Sequence, residues 1–311
     1  MKEQRILVVR LGAMGDILHT LPAVASVKQS FPQSRIVWAV EERWTPLLEG
    51  NPFVDEVIDV GKRTLSNVLA LRRRLRSMKF EMAIDFQGLL KSAITASFGR
   101  PERIFGFHRS QARESLAALF YSGAVKVSAQ HVVDRYIELA AGAGATAITR
   151  SFFIPTGRPE GTLPLGDFIL ANPLAGWASK QWPLEYYLQL AKRIELPLVL
   201  NVPNVIDAPG AHVHVSGIAG LIHATRRAAG VIGVDSGPLH LAAALGKPGV
   251  AIFGPTDPAR NGPYGGSLTV LRDSMAGTTY KRQPNIETSM RSITPDQVLS
   301  ALSNALSKTV R

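Results

Sequence analysis

Ile6-Leu-Val-Val-Arg-Leu-Gly-Ala-Met-Gly-Asp-Ile-Leu-His-Thr20 decides the fold class. The short, β-branched run Ile6 to Val9 reads as a strand. Gly12 and Gly15 mark a turn, and the residues from Asp16 onward read as a helix that opens at Asp16. Glycines let the backbone approach a ligand, and an acid at such a turn lies where ligands bind. Locally, Asp16 reads either as a helix cap that accepts a backbone N–H and complements the dipole, or as a carboxylate presented to a ligand. Gly-x-x-Gly-Asp lacks the Gly-x-Gly-x-x-Gly spacing of dinucleotide sites, which disfavours an NAD(P)-dependent dehydrogenase or epimerase.

The same alternation extends outward. Ile6–Val9, Ile36–Val40, Val57–Val60, Met82–Asp85 and Ile104–Phe107 read as strands, between helices near 17–30, 65–78, 88–98, 111–121 and 131–142. The Gly- and Pro-rich run Thr156-Gly-Arg-Pro-Glu-Gly-Thr-Leu-Pro-Leu-Gly166 carries no period and reads as a linker. After it come strands at Phe168–Ala171, Leu198–Asn201, Val213–Val215, Val231–Val234, Gly249–Phe253 and Leu268–Leu271, with helices near 184–194, 217–228 and 238–245. Alternating strands and helices predict parallel sheets covered on both faces. The expected domains are residues 1–155 and 156–311, with the carboxyl ends of both sets of strands on a shared cleft and a C-terminal helix that packs back on the first domain.

The length of 311 residues exceeds the roughly 250 to 300 at which one core stops growing. A hydrophobic fraction of 46% excludes disorder. The formal charge of +11 favours anionic partners: nucleic acid, acidic lipid or phosphorylated small molecules. The absence of cysteine excludes disulfides, thiolate zinc sites and cysteine nucleophiles, and fits a reducing cytoplasm. The apolar stretch after Arg5 is too short for an export signal, and no apolar run approaches the roughly 20 residues of a spanning helix, so any membrane contact is expected to be peripheral.

Three further segments carry chemistry. Gly233-Val-Asp-Ser-Gly-Pro-Leu-His240 ends a strand in Asp235, Ser236 and Gly237 and opens a helix at Pro238, whose free N–H groups suit a phosphate; a plain capped turn with His240 packed is the alternative. Gly254-Pro-Thr-Asp-Pro258 makes a second turn at the same sheet edge. Asn172-Pro-Leu-Ala-Gly-Trp-Ala-Ser-Lys-Gln-Trp-Pro183 presents Lys180 from a flexible turn at Ala175 and Gly176, as a point charge for a diphosphate or as a solvated lysine. Between Val60 and Ser115 twelve Lys/Arg stand against four acids. Leu71-Arg-Arg-Arg-Leu-Arg-Ser-Met78 reads as a helix with a basic face, either solvated or set against an anionic membrane surface or acceptor. No nucleic-acid recognition motif accompanies the charge, so nucleic acid is not an expected partner. The seven histidines form no metal constellation, and no Gly-x-Ser-x-Gly elbow is present.

Together, Gly15-Asp-Ile-Leu-His-Thr-Leu-Pro-Ala23, Asp85-Phe-Gln-Gly-Leu-Leu-Lys-Ser92, Ser110-Gln-Ala-Arg-Glu-Ser-Leu-Ala-Ala-Leu-Phe-Tyr121, Lys180-Gln-Trp-Pro183 and Asp235-Ser-Gly-Pro-Leu-His240 resemble glycosyltransferase family 9, the lipopolysaccharide heptosyltransferases, and more closely the first-heptose enzymes than the second. The resemblance implies a GT-B fold of two Rossmann-like domains facing a central cleft, the first for the acceptor and the second for the nucleotide sugar. It implies inverting, metal-independent transfer from ADP-heptose, as a substrate and with no cofactor, to the Kdo of a lipid A-type acceptor at the cytoplasmic face of the inner membrane. Asp16 is then the general base. Ala175, Gly176, Lys180, Asp235, Ser236, Gly237, Pro238 and His240 bind the donor, and Gly15, His19, Lys91 and Arg113 the acceptor. Alternatives within the resemblance are another donor or acceptor, as in second-heptose enzymes, or a non-catalytic nucleotide-sugar-binding protein. The chain departs from the pattern at Leu174-Ala-Gly-Trp177, where relatives often carry hydroxyl residues, and at Asn201-Val-Pro-Asn-Val-Ile-Asp207, where an acid usually reaches the donor; Asp207 is the available substitute.

Overall fold

The computed structural model describes residues 4–62 and 64–308; Arg63, counted in the basic run, lies outside them. The chain forms two compact units, Met1–Pro155 and Thr156–Arg311. In the first, β1 (Arg5–Val9), β2 (Arg35–Val40), β3 (Glu56–Asp59), β4 (Met82–Asp85), β5 (Arg103–Phe107) and β6 (Gly123–Val125) form one sheet in the order β3-β2-β1-β4-β5-β6. Every pairing is parallel, and Ile6 stands opposite both Ile36 and Met82. The helices are α1 (Met14–Ser30), α2 (Leu65–Met78), α3 (Leu90–Phe98) and α4 (Val132–Gly142). Leu7, Val9, Val37, Ala39 and Ala83 pack onto Leu71 and Leu75 of α2 and Ala96 of α3, while α1 packs against α4. A strand whose side chains are buried on both faces cannot show polar alternation, which is why β1 reads as an unbroken apolar run.

The second unit repeats the plan. Its strands are β7 (Ile169–Asn172), β8 (Leu198–Asn201), β9 (His212–His214), β10 (Gly230–Val234), β11 (Gly249–Phe253) and β12 (Leu268–Arg272), all parallel in the order β12-β11-β10-β7-β8-β9. Its helices are α5 (Leu184–Ala191), α6 (Ile218–Arg227), α7 (Gly237–Ala244), α8 (Pro258–Asn261), α9 (Thr288–Arg291) and α10 (Pro295–Ser307). Ile169, Ala171, Ile232, Val234, Val250 and Ile252 form a core with Trp182, Tyr187 and Leu190 around α5 and with Val298 and Leu302 of α10.

Besides β6, α8 and α9, which the sequence reading lacked, four details differ from it. Helix α1 opens at Met14, with Ala13 as N-cap, so Asp16 sits inside the first turn and is not the cap. Residues 111–121 form only a 3-10 helix, Ser115–Phe120, because the amides of Gln111 and Ala112 turn back to the His108 carbonyl and that of Glu114 is donated to the Gly88 carbonyl. The run 156–166 is strapped onto the second unit: Arg158 N donates to Ala219 O, and the Arg227 guanidinium to the carbonyls of Pro164 and Leu165. At Gly157, φ is +74°, and a Cβ would lie 2.4 Å from the Ala219 oxygen, so only glycine fits. The C-terminal helix α10 packs on β10, β11, β12 and α5 of its own unit. Among the described residues, no helix is long and apolar enough to cross a membrane.

Candidate functional site

In an open parallel sheet, ligands bind beyond the carboxyl ends of the strands where the strand order reverses. In the first unit this point lies between β1 and β4. The chain leaving β1 carries Arg10, which is 1% exposed although arginine is rarely buried. Its Nη1 donates to Phe86 O at 2.8 Å, its guanidinium lies over the Tyr136 ring, and its Nη2 is ion-paired with Asp16. Burial alone would lower the Arg10 guanidinium, but the charge of Asp16, with Tyr136 and Asp85 behind it, leaves it raised above its ordinary value. The Asp16 side chain is 31% exposed and has a second cation, Arg113 Nη1, at 3.8 Å. An acid in the first helical turn also meets the positive end of the dipole.

The loop after β4 is built on Asp85. This buried carboxylate accepts from the amides of Gln87 (2.8 Å) and Gly88 (3.2 Å), from Ser92 Oγ (2.8 Å) and from the Tyr121 hydroxyl (2.7 Å). Burial raises the Asp85 carboxyl above its usual range, against the four hydrogen bonds that oppose the shift. Gln87 Oε1 accepts from Leu11 N, tying this loop to the one after β1. Gly88, at φ +68°, lets Arg113 cross closely, since a Cβ there would stand 3.3 Å from Arg113 N. In Asp85→Asn the amide oxygen can still accept from the Gln87 and Gly88 amides while its NH2 donates to the Ser92 and Tyr121 hydroxyl oxygens, so this variant is expected to keep the unfolding free energy within about 1 kcal/mol, while Asp85→Ala loses about 3 kcal/mol by orphaning several buried donors. Urea unfolding measures both, and equal losses would remove Asp85 as the anchor of this loop.

Of the expected acceptor residues, Arg113 is brought to Asp16 and Gly15 lies in the same helical turn. Lys91 lies 4.0 Å from Glu41 Oε1. His19 is buried one turn further along α1, its ring edge-on to His131 at 5.9 Å.

In the second unit the strand order reverses between β7 and β10, and the loops after those strands meet. Asp235 Oδ2 accepts from Lys180 Nζ and from Thr256 Oγ1, each at 2.8 Å, and its Oδ1 lies 3.4 Å from His240 Nε2. Burial by itself would raise this carboxyl, but the hydrogen bond from His240 and the charge of Lys180 hold it well below the usual carboxylate range. Lys180 also lies over the Trp177 ring at 4.8 Å, and Arg282 approaches the same ring. Helix α7 opens beside this group with Ser236 as N-cap; Ser236 makes no side-chain cap bond, and Pro238 follows in the first turn. Ala175 and Gly176 form the turn before Lys180, with open space at the Gly176 Cβ position.

Next to these residues is a cavity of about 270 Å³, lined in part by Asn172, Asn201, Val202, Ser216, Ile218 and Pro238. Asn201 Nδ2 donates to Asn172 Oδ1 at 3.1 Å. Among the described residues, two atoms of the lining side chains, Asn172 Nδ2 and Ser216 Oγ, are buried without a hydrogen-bond partner, as is Ser236 Oγ at the start of α7. Buried polar groups are almost always paired, so orphaned ones around a cavity point to a polar ligand. Asp207 is exposed and does not line this cavity; Asn201 does. Arg10, Asp85, Thr256 and the Asn172–Asn201 pair stand inside segments singled out in the sequence but were given no site role there; the signal that could have marked them was position, each standing at or just after the carboxyl end of a strand. Among the described residues, no group of three or more His, Cys, Asp or Glu side chains could hold a metal ion.

Two doubly wound units, each with its charged residues at the switch point, make up the GT-B architecture of sugar transferases. A family model described as glycosyltransferase family 9 (heptosyltransferase) matches residues 68–196 and 216–290. Lipopolysaccharide heptosyltransferase 1 of Pseudomonas aeruginosa is 30% identical over 300 residues, covering 86% of this chain and 83% of that protein. The protein of the same name from Escherichia coli K12 is 31% identical over 302 residues, 86% of this chain and 93% of the relative. The solved structure of E. coli heptosyltransferase WaaC with ADP matches with a TM-score of 0.78 at 25% identity, covering 97% of this chain and 100% of that one. A second WaaC structure holds ADP-2-deoxy-2-fluoro heptose and matches with a TM-score of 0.76 at 25% identity, covering 96% and 98%. The chain belongs to glycosyltransferase family 9, the heptosyltransferase family, and is a glycosyltransferase.

Proposed function

We propose that this enzyme moves a heptose from ADP-heptose to the Kdo of a lipid A-type acceptor, with inversion at the anomeric carbon. The observation that carries the reading is that each unit has a charged group at its own switch point: a carboxylate gripped by a buried arginine in the first, and a cation beside an opening helix and a polar cavity in the second. Asp16 takes the proton of the acceptor hydroxyl as its oxygen attacks the anomeric carbon. The bond to ADP breaks on the opposite face, and negative charge collects on the diphosphate. Lys180 and the free amides at the start of α7 stabilise that charge without a metal. His240 and Asp235 hold Lys180 in place, and the orphaned polar atoms of Asn172, Ser216 and Ser236 pair with the nucleoside. Arg113 and Lys91 meet the acceptor carboxylates, with Gly15 and His19 shaping the start of α1. The ADP and ADP-heptose analogue held by WaaC support an ADP-sugar donor, and the names of the relatives support an inner-core acceptor.

The same reading places the enzyme on the cytoplasmic face of the inner membrane. In α2, Arg72, Arg73 and Arg76 are exposed and suit anionic head groups. The test of the reaction is a coupled ADP-release assay with ADP-heptose and Kdo-lipid A in the presence of EDTA. Acceptor-dependent release that survives EDTA is expected. Release with a different nucleotide sugar alone would overturn the donor, and release abolished by EDTA would overturn the metal-independent mechanism.

A further inference from the structure

Single exposed apolar side chains are ordinary on a protein surface, but a stacked pair on a fixed element calls for a reason. The 3-10 helix Ser115–Phe120 turns once every three residues, so Leu116 and Leu119 lie on one face. They are 59% and 80% exposed, while Ala117 is fully buried beneath them. The helix is pinned at both ends. Before it, the Glu114 amide donates to Gly88 O at 3.0 Å and the Glu114 carboxylate accepts from Leu90 N at 2.6 Å. After it, the Tyr121 hydroxyl donates to the buried Asp85. Burial and the Asp85 charge both raise that hydroxyl, so it stays a donor. The two leucines are therefore rigidly set relative to Arg113, three residues before Leu116 and 3.8 Å from Asp16.

Exposed cations accompany the pair on its own segment, where Glu114 is tied to Leu90 N, and on α2. Arg109 and Arg113 are exposed, and α2, which packs on α3 as this 3-10 helix does, exposes Leu65 and Leu69 together with Arg72, Arg73 and Arg76. Exposed apolar tips on a segment that also carries the exposed Arg109 and Arg113, in a unit whose α2 exposes further arginines, match a bilayer interface, where acyl chains take the leucines and head-group phosphates take the guanidinium groups.

We infer that Leu116 and Leu119 form an apolar anchor that enters the interface of an anionic bilayer and seats the Arg113 loop beside the lipid from which the acceptor sugar projects. The inference rests on the lipid-borne acceptor of the reading above. Because the chain has no cysteine, Leu119→Cys gives a single site for an environment-sensitive dye. With vesicles of phosphatidylethanolamine and phosphatidylglycerol, a blue shift and a gain in emission are expected; with vesicles of phosphatidylcholine alone, neither. The double variant L116S/L119S is expected to lose about tenfold or more in turnover of acceptor embedded in anionic vesicles. Its turnover of the same acceptor stripped of acyl chains should stay within about twofold of wild type.

Equal losses on both acceptors would reduce the helix to a support for Arg113 and overturn the anchor. So would a dye that reports no burial with anionic vesicles, or one whose burial grows with protein concentration in the absence of lipid, as a second copy of the chain would produce. If wild type uses neither acceptor, the proposed reaction falls, and the dye still decides the anchor by itself.

Discussion

Asp16→Asn is expected to lower kcat by about 10³-fold or more, while affinity for ADP stays within about twofold. The asymmetry follows from where the residue stands. Asp16 belongs to the first unit's switch point, and the polar cavity, Lys180 and the α7 amides all belong to the second unit. Removing a base removes proton transfer in the transition state and leaves ground-state contacts with the nucleotide untouched. Asparagine is the informative substitution because its amide oxygen still faces the Arg10 guanidinium. Asp16→Ala takes away the only carboxylate ion-paired with Arg10 among the described residues, and breaking such a pair costs roughly 3 kcal/mol. Alanine thus mixes lost folding with lost chemistry, whereas asparagine isolates the chemistry. Coupled ADP release for turnover and calorimetry for ADP binding separate the two quantities. Wild-type turnover in Asp16→Asn would remove the base, and a matching loss of ADP affinity would move Asp16 into the donor site.

The relation between sequence and site explains why Asp16 and Arg113 were picked out and the buried partner Arg10 was not. Strand, Gly12–Gly15 turn and helix leave Asp16 open between a helix cap and a ligand-facing acid, and the family resemblance selects the second. Arg10 gives no such signal: an arginine after an apolar run looks like the start of a solvated loop. Its burial depends on Phe86 O and Tyr136, groups brought in by β4 and α4. Asp85 stood inside a quoted motif, yet its role as the anchor of a loop needs the Tyr121 hydroxyl, 36 residues further on. The helix expected over 111–121 fails for a related reason. The Glu114 amide and carboxylate bond to the Gly88–Leu90 loop, a tertiary demand that local propensity does not contain. In the second unit, Lys180 and Asp235 were each picked out, but their contact spans 55 residues and arises because β7 and β10 are neighbours at the switch point. Element type was readable from periodicity, and strand order turned separate candidates into a site.

That contact yields the second large effect. Lys180→Met is expected to lower kcat/KM by about 10²- to 10³-fold, the scale of losing one charge-stabilising group in a transition state. It is also expected to cost roughly 3 kcal/mol of stability, because it leaves the buried Asp235 carboxylate short of its cation. The two losses have different origins and can be pulled apart. In Lys180→Met/Asp235→Asn the buried charge is gone, and an amide can still accept from Thr256, so at least about half of the lost stability should return. Activity should not return, since no cation remains for the departing diphosphate. The pH dependence has a defined sign. Asp235 titrates well below the usual carboxylate range in the folded chain, so its contribution is present above the unfolded value and is lost as pH falls through the folded one. The gap between wild type and Lys180→Met is therefore widest near neutral pH and narrows below about pH 4. Urea unfolding across that range, alongside ADP-release kinetics, tests both halves. A double variant that regains activity would show that Lys180 serves only to hold Asp235, and a single variant as stable as wild type would show that the buried pair contributes nothing to the fold.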